Sequence, residues 1–136
     1  MGLESYAPEL LKKYKKGYRH ELIQQGMDNL ITVGITPAIN MMIGAPEESE
    51  QTLKTTEEFL LSVNPNKIKL LGVQYLRPLP GTPIFTESVK EGLFDAKYSY
   101  REFYTSRDRA LMPTKYLNVD EVEMWREKLV EAYFSS

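Results

Sequence analysis

Two apolar runs, each halted by a Gly/Pro turn and followed by a helical period, set the frame of this chain. The first, Ile39-Asn40-Met41-Met42-Ile43, stops at Gly44-Ala45-Pro46; the second, Leu70-Leu71-Gly72-Val73-Gln74-Tyr75-Leu76, stops at a segment holding Pro78, Pro80 and Pro83. Short apolar runs with few charges predict strands buried on both faces, and the helical segment between them predicts a parallel β-α-β unit. The two turns then share the carboxyl edge of one sheet, where open α/β sheets and β/α barrels place their ligands.

The rest of the pattern fills in around this unit. Residues 2–5 read as the tail of a strand. Pro8 suits the first turn of a helix with an apolar side of Leu10, Leu11 and Tyr14, ended by Gly17. Ile23, Met27, Leu30 and Ile31 recur at helical spacing over 19–33, with Gly34 as the stop. After Pro37 comes the strand over 38–43, in which Asn40 either satisfies a neighbour or lines a pocket. Ser49 can cap a helix whose inner stripe is Leu53, Thr56, Leu60 and Val63, with Phe59 beside it, broken by Asn64-Pro65-Asn66. A strand follows over 68–76. Thr82-Pro83 reads as cap and first turn of a short helix that Gly92 ends, and the proline-dense turn before it reads either as a rigid rim beside a ligand or as a plain loop. Residues 93–117 are irregular and aromatic, with Phe94, Tyr98, Tyr100, Phe103, Tyr104 and Tyr116 placed to cover an apolar surface, or else to contact a substrate or partner, and Arg101, Arg107, Asp108 and Arg109 among them. Asn118 with Glu121 forms a capping box, Leu117 with Val122 a hydrophobic staple, and Val122, Trp125, Leu129 and Tyr133 repeat on one face of the last helix.

Composition narrows the function classes. A length of 136 residues suits one domain and falls well short of the roughly 250 residues usual for a closed eight-stranded barrel. The net charge of -2 gives no general attraction to nucleic acid or anionic lipid. The cluster Lys12, Lys13, Lys15 and Lys16 reads as a solvated helix face; the alternative is a phosphate-binding face with Tyr14 and Tyr18 as stacking groups. With no cysteine and a lone His20, the chain has no disulfide and cannot build a zinc site unaided, so no metal-ligating residues are assigned. No stretch approaches the roughly eighteen apolar residues of a membrane span, and the first residues lack a signal-peptide pattern, so a soluble cytoplasmic protein is expected.

Gly2-Leu3-Glu4-Ser5, Lys16-Gly17, Gly34-Ile35, Met42-Ile43-Gly44-Ala45-Pro46-Glu47-Glu48-Ser49 and Pro78-Leu79-Pro80-Gly81-Thr82-Pro83, in that order, resemble the second half of a radical S-adenosylmethionine (SAM) enzyme core. The likeness is to the branch that includes cobalamin-binding enzymes and methylthiotransferases, and it covers residues 2–92. It implies an α/β fold of a particular kind: a partial (β/α) TIM-type barrel fragment whose parallel strands match barrel strands 4 to 6. Residues 1–92 would be that partial barrel, and 93–136 an aromatic segment and C-terminal helix packed on it. By the same resemblance Glu4 and Ser5 lie near the amino-acid or ribose part of SAM, Met42 helps flank adenine with Gly44 allowing close approach, and Leu76 and Arg77 offer backbone contacts to it. Glu48 matches the terminal acidic position of the motif, or braces its own turn without touching a cofactor. Glu47 stands where a second glycine is usual in the family, which leaves the turn conformation open.

The parent protein so implied is an iron-sulfur oxidoreductase. It would use SAM and a [4Fe-4S] cluster, and in part of the branch cobalamin, to cleave SAM reductively to a 5′-deoxyadenosyl radical. The family holds the cluster through three cysteines of a CxxxCxxC loop, and this chain has none. The expectation is therefore an inactive fragment that binds no cofactor itself and whose natural partner is the missing N-terminal part of the barrel. The alternative is a non-catalytic interaction or scaffold domain that self-associates through an exposed sheet edge, without nucleic acid or membrane.

Overall fold

The computed structural model describes residues 1–17, 19–98, 100–105 and 108–136, without the side chains of Tyr100, Glu102 and Thr105. Expectations that concern Tyr18, Arg107 and the Tyr100 side chain lie outside the described residues. In chain order the elements are β1 (Gly2–Glu4), α1 (Pro8–Lys13), α2 (His20–Thr32), β2 (Ala38–Ile43), α3 (Glu50–Ser62), β3 (Lys69–Tyr75), α4 (Pro83–Lys90), α5 (Tyr100–Thr105) and α6 (Val119–Phe134).

The three strands form a parallel sheet in the order β1-β2-β3, an α/β arrangement in which no closed barrel is seen among the described residues. Gly2 pairs with Asn40, and β2 pairs with β3 from Ala38 opposite Lys69 to Ile43 opposite Tyr75. The register slips once in each pair: Gly2 faces Asn40 while Glu4 faces Met41, and Ile39 faces Leu70 while Asn40 faces Gly72, so Leu71 is an extra residue bulged out of the β2–β3 ladder.

Local chemistry accounts for most helix ends. Ser49 caps α3 through a reciprocal pair with Thr52, and Asn118 caps α6 through a reciprocal pair with Glu121, whose bonds are 2.9 and 2.7 Å long. Thr82 accepts from the Phe85 N–H at 3.2 Å ahead of Pro83. The end of α1 departs from the expected stop at Gly17. The Lys16 N–H reaches the Leu11 carbonyl and the Lys15 N–H the Lys12 carbonyl, a Schellman closure whose left-handed residue is Lys15, at φ 54°. A lysine fills the place where glycine is usual, which hides this stop in the sequence.

The main core lies on one face of the sheet. Leu3, Ile39, Met41, Ile43 and Val73 are fully or almost fully buried there against α2, α3 and α6. The inner face of α6 carries Val122, Trp125, Leu129 and Tyr133, all buried, as the periodicity predicts. A second, smaller cluster sits at the carboxyl ends of the strands, where Leu10, Ala45, Leu76, Phe94, Phe103 and Met112 meet. Phe94 and Phe103 thus do cover apolar surface, whereas Tyr104 and Tyr116 stay exposed. No cap or period in the sequence signals the short helix α5 within this segment.

The opposite face of the sheet is different. Gly2 and Gln74 are exposed and Ala38, Asn40 and Gly72 only half-buried, whereas Met42, nearer the carboxyl end, packs into the second cluster. The Gln74 side chain folds back over Gly72, where an added Cβ would stand 2.8 Å from its amide nitrogen. No helix of the described residues is long and apolar enough to cross a membrane.

Candidate functional site

The carboxyl edge brings together all six residues singled out there. Glu4 and Ser5 end β1, Met42 and Gly44 end β2, and Leu76 and Arg77 end β3. Their polar groups are engaged within the protein. Ser5 is buried and its hydroxyl accepts from the Ala7 N–H at 3.1 Å. Glu4, left-handed at φ 68°, pairs with Lys16 at 3.0 Å. Arg77 donates to the Phe103 carbonyl and lies 5.6 Å from the centre of that ring. Met42 and Leu76 belong to the second apolar cluster.

The turn after β2 is held by Glu48. Gly44 adopts φ 94°, a conformation that glycine enters without a Cβ clash, and donates its N–H to Glu48 Oε2 at 2.6 Å. The carboxyl group is 1% exposed. Burial raises its pKa from 4.5 to about 7, with the Gly44 and Ala45 backbone N–H groups opposing that rise. Glu48 therefore braces its own turn, one of the two roles open from the sequence.

Glu47 turns the other way and joins an ion network that no single stretch of sequence announces. It pairs with Lys13 of α1 and, at 3.3 Å, with Lys115; Lys13 also reaches Glu87 of α4 at 2.9 Å, and Lys115 reaches Glu91 at 2.9 Å. Burial by itself would raise the Glu47 carboxyl, but hydrogen bonds from Lys13 and Lys115 outweigh it and hold the group below the usual range. Among described residues other than glycine, left-handed φ values fall at Glu4 and Lys15, so Glu47 needs no glycine-like backbone. The network draws residues about 100 positions apart into one cluster, which explains why neither composition nor period could reveal it.

No protein-family model matches the chain, and no curated protein matches it. The resemblance to radical SAM enzymes is overturned, and with it the iron-sulfur oxidoreductase function and SAM, cobalamin and [4Fe-4S] as cofactors. The sequence has no cysteine, and among the described residues no group of three or more His, Cys, Asp or Glu side chains is placed to hold a metal ion. The sole histidine has its Nε2 against the Tyr6 carbonyl at 2.6 Å and its ring stacked on Tyr6. The residues present do not fit a thiolate-held cluster, and the glycine and proline turns that carried the likeness serve here to close strands and start helices.

The more open region is the other side of the sheet. Leu71, displaced by the bulge on edge strand β3, is 62% exposed. Side chains meet several carbonyls of the sheet or its flanks: Arg126 Nε donates to Val73 at 2.9 Å, the Tyr133 hydroxyl to Ile68 at 2.9 Å, and Lys16 Nζ to Gly2 at 3.0 Å. Such donors beside edge strands, two of them cations, oppose simple ladder extension. The face bearing Asn40, Gly72 and Gln74 and the Leu71 bulge are the more exposed parts of the sheet.

Proposed function

We propose that this chain is a non-catalytic interaction domain that self-associates through the open side of its sheet, by the face bearing Asn40, Gly72 and Gln74 and the β3 edge around Leu71. The observation that supports it is a parallel sheet with one face left partly bare. Parallel sheets are ordinarily covered on both faces, because their strands are apolar on both sides and their edge groups need partners. A second copy related by a twofold axis would bring Leu71 and its own counterpart to the same contact. The three side chains that meet carbonyls of the sheet and its flank leave side-chain packing, rather than a continuous ladder, as the mode of contact. On this reading the carboxyl-edge network and Glu48 keep the scaffold rigid and take no part in chemistry.

Sedimentation equilibrium over a wide concentration range tests this. A reversible dimer is expected for the native chain, and a monomer for Leu71→Lys. Leu22→Lys, at a site 55% exposed on α2, should leave the dimer intact. A native chain that stays monomeric at every accessible concentration refutes the proposal.

A further inference from the structure

The four lysines of the 12–16 segment divide in the folded protein. Lys13 and Lys16 point into internal ion pairs, with Glu47 and Glu87 for the first and Glu4 for the second. Lys12 and Lys15 form no ion pair among the described residues, and neither does Arg19. These three cations border one open groove of about 490 Å³, together with Pro8, Leu11 and Gly17. Among the described residues no carboxylate lines it.

A second, independent observation concerns the backbone. Lys15 holds the left-handed position of the α1 closure at φ 54°, and Leu11, only 2% exposed, forms apolar floor beside it. Glycine would fill that position without strain, and a non-glycine residue there costs on the order of 1 kcal/mol. The strained residue is thus a lysine that borders the same groove as two other cations.

We infer that this groove is a binding site for a phosphate group carried on a small molecule. Three cations bordering one groove match the two negative charges and several acceptor oxygens of a phosphate monoester, and Arg19 can offer a forked pair of donors. The volume lies within the range usual for small-molecule sites. The apolar floor of Pro8 and Leu11 favours a ligand with an apolar or planar group next to its phosphate.

The probes are inorganic phosphate and phenyl phosphate, with acetate as the monoanion control, followed by backbone amide shifts and by calorimetry. Saturable shifts at Leu11, Lys12, Lys15, Gly17 and Arg19 are expected with both phosphates, tighter for phenyl phosphate, and none with acetate. Lys12→Gln and Arg19→Gln should each weaken binding about fivefold, as loss of one exposed cation would. Lys15→Gly separates binding from folding: it should also weaken binding about fivefold while raising the melting temperature, since it relieves the left-handed strain. Non-saturating shifts, or shifts spread equally over Lys67, Lys90 and Lys97, would overturn the assignment. So would unchanged phosphate affinity in the three variants. Tight binding of an RNA oligonucleotide without saturable binding of either small phosphate would also overturn it, in favour of a nucleic-acid face.

Discussion

Glu48 should make the stability of this protein fall as pH rises from about 4.5 to about 7. The unfolded carboxyl titrates at 4.5 and the folded one at about 7. Between those values the native state binds more protons than the unfolded state, so stability decreases with pH. The extra stability is fully present below the unfolded value and is gone above about pH 7. Each pH unit separating the two titrations is worth about 1.4 kcal/mol, so the whole effect is about 3 kcal/mol, a large part of the stability of a domain of this size. Glu48→Gln removes the titration and keeps a carbonyl oxygen to accept from the Gly44 N–H. Urea unfolding, followed by the fluorescence of Trp125, should be measured for both proteins between about pH 5 and about pH 8. Native stability minus variant stability should fall by most of that amount across the range, a comparison that cancels the other titrating groups. A constant difference between the two proteins would refute the reasoning. Glu48→Ala leaves the Gly44 and Ala45 N–H groups without their buried acceptor and should cost about 1–3 kcal/mol for each at acid pH.

Other outcomes follow from single contacts. Trp125, 4% exposed on α6, should cost about 3–5 kcal/mol when replaced by alanine, read as a lowered urea midpoint. Asn118→Ala removes the side-chain oxygen that accepts from the Glu121 N–H, one half of the α6 cap, and should cost about 1 kcal/mol, whereas Asn118→Ser should recover most of it. Arg126→Met frees the Val73 carbonyl on the β3 side and should raise the tendency to aggregate, seen by light scattering, with little change in secondary structure by circular dichroism. Lys115→Ala removes the link between Glu47 and Glu91; because Lys115 is largely solvated, the melting temperature should move by no more than a degree or two in moderate salt.

The elements are legible in the sequence wherever a local rule decides them. Ser49, Thr82 and Asn118 cap their helices as expected, since a cap is a bond between residues three apart. The stripes of α3 and α6 are buried as their spacing predicts. Positions set by tertiary closure are not legible. The bulge at Leu71 arises between two strands, the left-handed Lys15 lies where glycine is usual, and the Glu47 network joins distant segments. The functional reading fails for a related reason. Glycine and proline turns at strand ends are required by backbone geometry in any parallel sheet, so their order describes a fold and carries no chemistry of its own.

The docking of α6 also dictates an order of events during synthesis. The Tyr133 hydroxyl bonds to the Ile68 carbonyl at 2.9 Å, and Trp125 and Leu129 belong to the core that receives the buried face of β3. Translation proceeds at roughly 5–20 residues per second, so the stretch of about 60 residues between β3 and the end of α6 takes several seconds to appear. Throughout that interval Val73 and Tyr75 lack the helix that later shelters them. The nascent chain thus passes through a stage with a bare apolar sheet, in which a chaperone has its best opportunity and premature contact between neighbouring ribosomes' products its greatest hazard.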